Sequence, residues 1–167
     1  MSATSQFSHE QLLDRLGEVA VRVGLNIKPG QQLLITAPLD AVPLVRRVTE
    51  HAYKAGASLV TTLYADDETT LARYVHASDA AFDTAPTWLA DGIARAFREG
   101  AARMAITGAN PTLLAGQEQE RIARANRANS AANRPAMEII TQFAVNWNIS
   151  ACATPAWAAQ GFPKLAP

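Results

Sequence analysis

The sequence predicts an α/β fold: a three-layer αβα arrangement with a mostly parallel sheet and helices on both faces. It is Rossmann-like but carries no dinucleotide fingerprint. Three observations lead there. Short apolar runs rich in β-branched residues alternate in order with longer stretches whose apolar residues recur at helical spacing. Gly and Pro punctuate the junctions. The 167 residues are 49 % hydrophobic, enough for one core and too much for a disordered chain.

The elements follow in chain order. Ser8, with Gln11 three residues on, reads as a capping box. Leu12, Leu16, Val19, Ala20 and Val23 form an apolar stripe, and Gly24 is placed to close the helix. After the Pro29-Gly30 turn, Leu33-Leu34-Ile35 reads as a buried strand bounded by Pro38. Asp40 is expected to cap a helix with Ala41, Val45, Val48 and Ala52 on one face, ended by Gly56. Residues 59–64 read as the second strand. Asp66, Asp67 and Glu68 suit the positive end of a short helix reaching about His76, and Asp79 starts a further turn. Trp88, Leu89, Ile93, Ala96 and Phe97 stripe a longer helix that stops at Gly100. Residues 104–107 are the third strand, broken by Gly108-Ala109-Asn110-Pro111. A polar helix is expected over 117–133. Pro135 then interrupts before an apolar helix over 137–145, and a fourth strand follows over 149–153.

Composition excludes several function classes. Fifteen Lys and Arg balance fifteen Asp and Glu, so no strong pull toward nucleic acid is expected. Cys152 is the only cysteine, which rules out an intrachain disulfide and a cysteine-based metal cluster. The opening residues lack a secretory pattern, and no apolar stretch approaches the roughly 18 residues of a membrane helix. A cytoplasmic protein without nucleic-acid or membrane partners is the expectation.

The familiar chemical motifs are missing. The first strand runs into Thr36-Ala37-Pro38-Leu39-Asp40 without glycine, so the backbone cannot close on a pyrophosphate. No phosphate loop and no serine elbow occur. His9, His51 and His76 form no His-x-x-x-His pair, and each reads as a solvated or capping residue, His51 on the polar half of its helix. Cys152 reads as a small core residue. The acidic run 66–68 reads as helix-end charge, because adjacent helical residues point apart. Arg121, Arg124 and Arg127, beside Glu118 and Glu120, read as a solvated ion-pair face. Ligands of open sheets lie beyond the carboxyl ends of the strands. Thr36, Asp66, Thr107, Asn110 and Thr154 are therefore the expected edge residues, with Thr107, Asn110 and Thr154 as the candidate cleft lining.

Several phrases together resemble one family. They are residues 24–35, Ala52-Tyr53-Lys54-Ala55-Gly56-Ala57, Tyr64-Ala65-Asp66-Asp67, Ile106-Thr107-Gly108-Ala109-Asn110-Pro111, and Trp147 with Cys152-Ala153-Thr154-Pro155-Ala156-Trp157-Ala158 and Phe162-Pro163. In that order they look like the amino-terminal domain of the thermophilic-type metalloaminopeptidases, the aminopeptidase T and aminopeptidase S family. The resemblance implies a homodimeric exopeptidase that removes amino-terminal residues from peptides using two divalent metals such as zinc, cobalt or magnesium. It also implies that the metal ligands lie in a second domain, so no catalytic, cofactor or metal residue is carried over to this chain. On this reading residues 1–154 form the α/β domain, 155–167 begin a link to a missing catalytic domain, and this chain alone is inactive. The alternative is a stand-alone, non-enzymatic α/β module that binds a ligand or partner.

Overall fold

The computed structural model describes residues 7–161. Strands β1 (Gln32–Pro38), β2 (Leu59–Ala65), β3 (Ala102–Thr107) and β4 (Trp147–Ala151) form one sheet in the order β2-β1-β3-β4. Every pairing is parallel. Helices α1 (His9–Val19), α2 (Val42–Lys54), α3 (Asp67–His76), α4 (Thr87–Arg98), α5 (Gln119–Thr141) and α6 (Pro155–Gly161) connect and flank the strands. The predicted α/β class holds. The chain steps from β1 outward to β2, then returns to place β3 on the other side of β1. The carboxyl ends of β1 and β3 therefore part at a switch point.

A parallel sheet must be covered on both faces. On one face Leu33 and Ile35 of β1 and Met104 and Ile106 of β3 pack with α2 and with Val21 and Leu25 of a π-helical turn, Ala20–Leu25. On the other, Leu34 packs with Ala94 and Phe97 of α4 and with Ala136 and Ile140 of α5. Phe82 centres a third cluster with Tyr74 and Ala125. No helix among the described residues is long and apolar enough to cross a membrane.

The start of α1 is as the sequence predicts: the Ser8 hydroxyl accepts the Gln11 N–H at 3.2 Å, and the Gln11 side chain accepts the Ser8 N–H at 2.8 Å. Its stripe is not. Leu12, Leu16, Val19 and Val23 are exposed, while Gly17, Ala20, Val21 and Leu25 face the interior. The wider π-turn carries the helix past Gly24, and Asn26 at φ 51° takes the left-handed position instead. Gly24 serves close approach: an added Cβ would meet the Asn148 amide nitrogen at 2.4 Å. Asp40 lies in a short turn, Leu39–Ala41, and does not cap α2. Pro43 opens that helix, where a missing N–H costs nothing. His51 is buried, its Nε2 3.0 Å from Asp14 Oδ1, so it ties α2 to α1 and is not solvated.

The break expected at Pro135 does not occur: α5 is one helix of 23 residues. An interior proline removes one helical hydrogen bond at a cost of about 3 kcal/mol. Pro135 is solvent-exposed, and the buried Ala125, Ala136 and Ile140 hold α5 to the protein on both sides of it. Arg121 pairs with Glu118 as expected, but Arg124 reaches across to Asp79 and Asp83. The fourth strand starts at Trp147, earlier than expected, and the chain leaves it at Cys152 to reach α6.

Candidate functional site

The parting of β1 and β3 opens a cleft of about 660 Å³ at the carboxyl edge of the sheet. Thr36 and Pro38 of β1, Leu63 and Tyr64 of β2, and Ala105 and Thr107 of β3 form its base. Leu89 and Ile93 of α4 and Trp157 of α6 wall it. The lining is mainly apolar, with Thr36, Tyr64, Asp67 and Thr107 among its polar residues. A second hollow of about 430 Å³ shares Pro38, Asp67 and Gly108 with it and is edged by Asp40, Asp66 and Glu68.

Local chemistry explains why these residues stand here. Gly108, at φ 148°, lets the exit of β3 pass against β4: an added Cβ would meet the Cys152 carbonyl oxygen at 2.2 Å. The buried Thr154 hydroxyl donates to the Gly108 carbonyl at 2.5 Å and accepts the Trp157 N–H at 3.3 Å. It thereby starts α6 and sets Trp157 over the cleft. Asp66 Oδ1 accepts the Glu68 N–H at 3.2 Å, capping α3. Asp67 Oδ2 accepts the Asn110 N–H at 3.2 Å, tying α3 to the loop after β3.

The structure thus brings Thr36 and Thr107 to the cleft. Asn110 and Thr154 stand beside it, but their side chains are taken up locally: the Asn110 amide oxygen accepts the Thr112 N–H and hydroxyl. Residue type at strand ends did not point to Leu63, Leu89, Ile93 or Trp157. The signal for Leu89 and Ile93 was their spacing of four on α4, which puts both on one helix face.

The residues present do not fit a two-metal centre. Among the described residues no group of three or more His, Cys, Asp or Glu is placed to hold a metal ion. His9 and His76 are exposed on α1 and α3, and His51 is taken by Asp14. Cys152 is no better as a nucleophile, because burial, with Asp40 nearby, pushes its thiol pKa up. The cleft can receive an apolar group.

The model of the thermophilic metalloprotease (M29) family matches residues 9–167. Aminopeptidase T of Thermus thermophilus is 48 % identical over 153 residues, which are 92 % of this chain and 38 % of that protein. Aminopeptidase 2 of Geobacillus stearothermophilus is 37 % identical over 156 residues, 93 % of this chain and 38 % of that one. The solved structure of wild-type AmpT from Thermus thermophilus superposes with a TM-score of 0.91 at 47 % identity, covering 95 % of this chain and 40 % of that chain. The chain therefore spans less than half the length of the relatives it matches, and it belongs to the thermophilic metalloprotease (M29) family.

Proposed function

We propose that this chain is the amino-terminal domain of a two-metal aminopeptidase that removes amino-terminal residues from peptides in the cytoplasm. It shapes the wall of the substrate cavity and part of a homodimer, while the metal-bearing domain lies outside these residues. On this reading the stretch 155–167 leads toward that domain. The observation that carries the reading is a pairing of two facts. The match to aminopeptidase T is close over nearly the whole chain yet takes in 38 % of that protein, and the cleft has mainly apolar walls, with no group of three or more His, Cys, Asp or Glu placed to hold a metal among the described residues.

In the complete enzyme the two divalent ions, zinc, cobalt or magnesium, would polarise the scissile carbonyl and supply a hydroxide near neutral pH. The residues of this chain act otherwise. Trp157, Leu89 and Ile93 line the cleft at the carboxyl edge of the sheet with apolar surface, and Gly108 and Thr154 fix the angle at which the chain leaves it. The test is hydrolysis of leucine p-nitroanilide by the purified chain with zinc, cobalt or magnesium added, alongside calorimetric titration of each metal. No metal-dependent turnover and no stoichiometric metal binding are expected. Either one would overturn the assignment of the metal site to another domain.

A further inference from the structure

The cleft continues past the carboxyl edge along β2. A further hollow of about 250 Å³ lies between α4 and β2, with Thr61, Trp88 and Gly92 in its lining. It shares Leu63, Leu89 and Ile93 with the cleft, so the two run together as one apolar trough beside β2. From Thr61 to Ala65 the trough follows about 13 Å of strand at roughly 3.3 Å per residue, room for about four extended residues. Gly92 keeps it open: no atom lies within 4 Å of the place a Cβ would take. Trp88, at the end away from the cleft, is 76 % exposed.

The trough has an edge strand along one side and an acidic hollow at one end. β2 is bonded to β1 alone among the described strands. The Val60 N–H bonds the Tyr53 hydroxyl at 3.1 Å and so points away from β1. Backbone groups alternate sides along a strand, which turns the N–H and C=O of Thr62 and Tyr64 the same way, toward the free edge. At the carboxyl end of β2 the cleft adjoins the hollow edged by Asp40, Asp66, Asp67 and Glu68, whose lining holds no Lys, Arg or His. Asp66 and Asp67 are partly engaged by the Glu68 and Asn110 N–H groups. Asp40 and Glu68 are both exposed.

We propose that the trough holds the leading residues of a substrate peptide as an added strand antiparallel to β2, with the free α-ammonium at the acidic hollow. The free amino end rests on the peptidase reading; the placement rests on three features that each select one part of the occupant. The open edge of β2 pairs with peptide backbone whatever its sequence. The trough takes side chains one and three, because successive residues of a strand face opposite ways. The uncompensated carboxylates complement the positive charge that every amino terminus carries. Charge also sets the direction: the acidic end lies at the carboxyl end of β2, so a peptide that starts there runs antiparallel to the strand. Its first peptide bond then stands beside Trp157 and α6, through which the chain leaves the domain.

The test titrates the purified chain with Leu-Ser-Leu-Ser amide by calorimetry, in EDTA so that no metal contributes. Saturable binding is expected. Acetylating the peptide, or combining Asp40→Asn with Glu68→Gln in the chain, should weaken it about fivefold. Trp88→Ala trims an exposed side chain and should weaken it about tenfold without changing the circular dichroism spectrum. The shifted peptide Ser-Leu-Ser-Leu amide should also bind about tenfold more weakly, since its leucines turn to the opposite face. Met137→Ala, at an exposed position on α5, should leave the curve unchanged. Absence of saturable binding overturns the proposal, and so does equal affinity for the acetylated or the shifted peptide. Either result leaves the place of the metal site untouched. Metal-dependent turnover by this chain alone would instead bring the metal site into these residues and leave the binding curves as they are.

Discussion

The two central strands and the two edge strands of one sheet are built from similar residues and end in different surroundings. In β1 and β3, Leu33, Ile35, Ala102 and Met104 are at most 1 % exposed. In β2 and β4 no residue is fully buried, and Leu59, Tyr64 and Ile149 stand 44–53 % exposed. The centre holds the fold together; the edges lie partly in solvent. The cleft lies where the two regimes meet, with Thr36 and Thr107 on central strands and Leu63 and Tyr64 on an edge strand.

The contrast can be broken most severely from the centre. Ile35→Ala should cost about 2–5 kcal/mol in urea unfolding, since a fully buried side chain leaves a cavity that its neighbours cannot fill. A cost below about 1 kcal/mol would mean that the sheet centre is not the core. Gly108→Ala is expected next, at roughly 2 kcal/mol, because it adds backbone strain to a clash with the Cys152 carbonyl. It should also shift tryptophan emission by moving Trp157, and an unchanged spectrum would show that Gly108 does not set the exit to α6.

Arg124→Ala should lower the melting temperature by a few degrees, about the effect of losing one clamp on a domain of this size. It should also change the acid limb. Hydrogen bonds from Arg124 hold the Asp79 and Asp83 carboxyls below the usual carboxylate range. Their contribution is therefore fully present above about pH 4 and is lost as the pH falls through their lower folded values. Wild type should lose stability more steeply than Arg124→Ala over that range, and parallel curves would refute the clamp. The smallest effect is expected at the edge: Leu59→Ala should change stability by no more than about 0.5 kcal/mol.

Much of the fold was legible in the sequence, because alternating apolar runs and helical periodicities encode elements directly. Ser8 and Gln11 located a helix start to the residue, and Ala41, Val45, Val48 and Ala52 are the buried face they were expected to be. The misreadings came where tertiary packing overrides local rules. Periodicity along α1 cannot say which of two apolar faces meets the sheet, and the outward face was the more conspicuous one. Pro135 is tolerated because burial on both sides of it outweighs one lost hydrogen bond. The cleft was half visible: strand ends pointed to Thr36 and Thr107, whereas Leu89, Ile93 and Trp157 arrive from elements whose approach depends on the strand order.

On the proposed function, this chain completes an aminopeptidase whose metal site lies outside these residues. The most direct test joins it to the portion of Thermus thermophilus aminopeptidase T that follows the matched 38 %, and measures leucine p-nitroanilide hydrolysis with added metal. Metal-dependent turnover by the fusion, with none from this chain alone, is the expected result. A folded, metal-loaded fusion that stays inactive while intact aminopeptidase T turns over would contradict it.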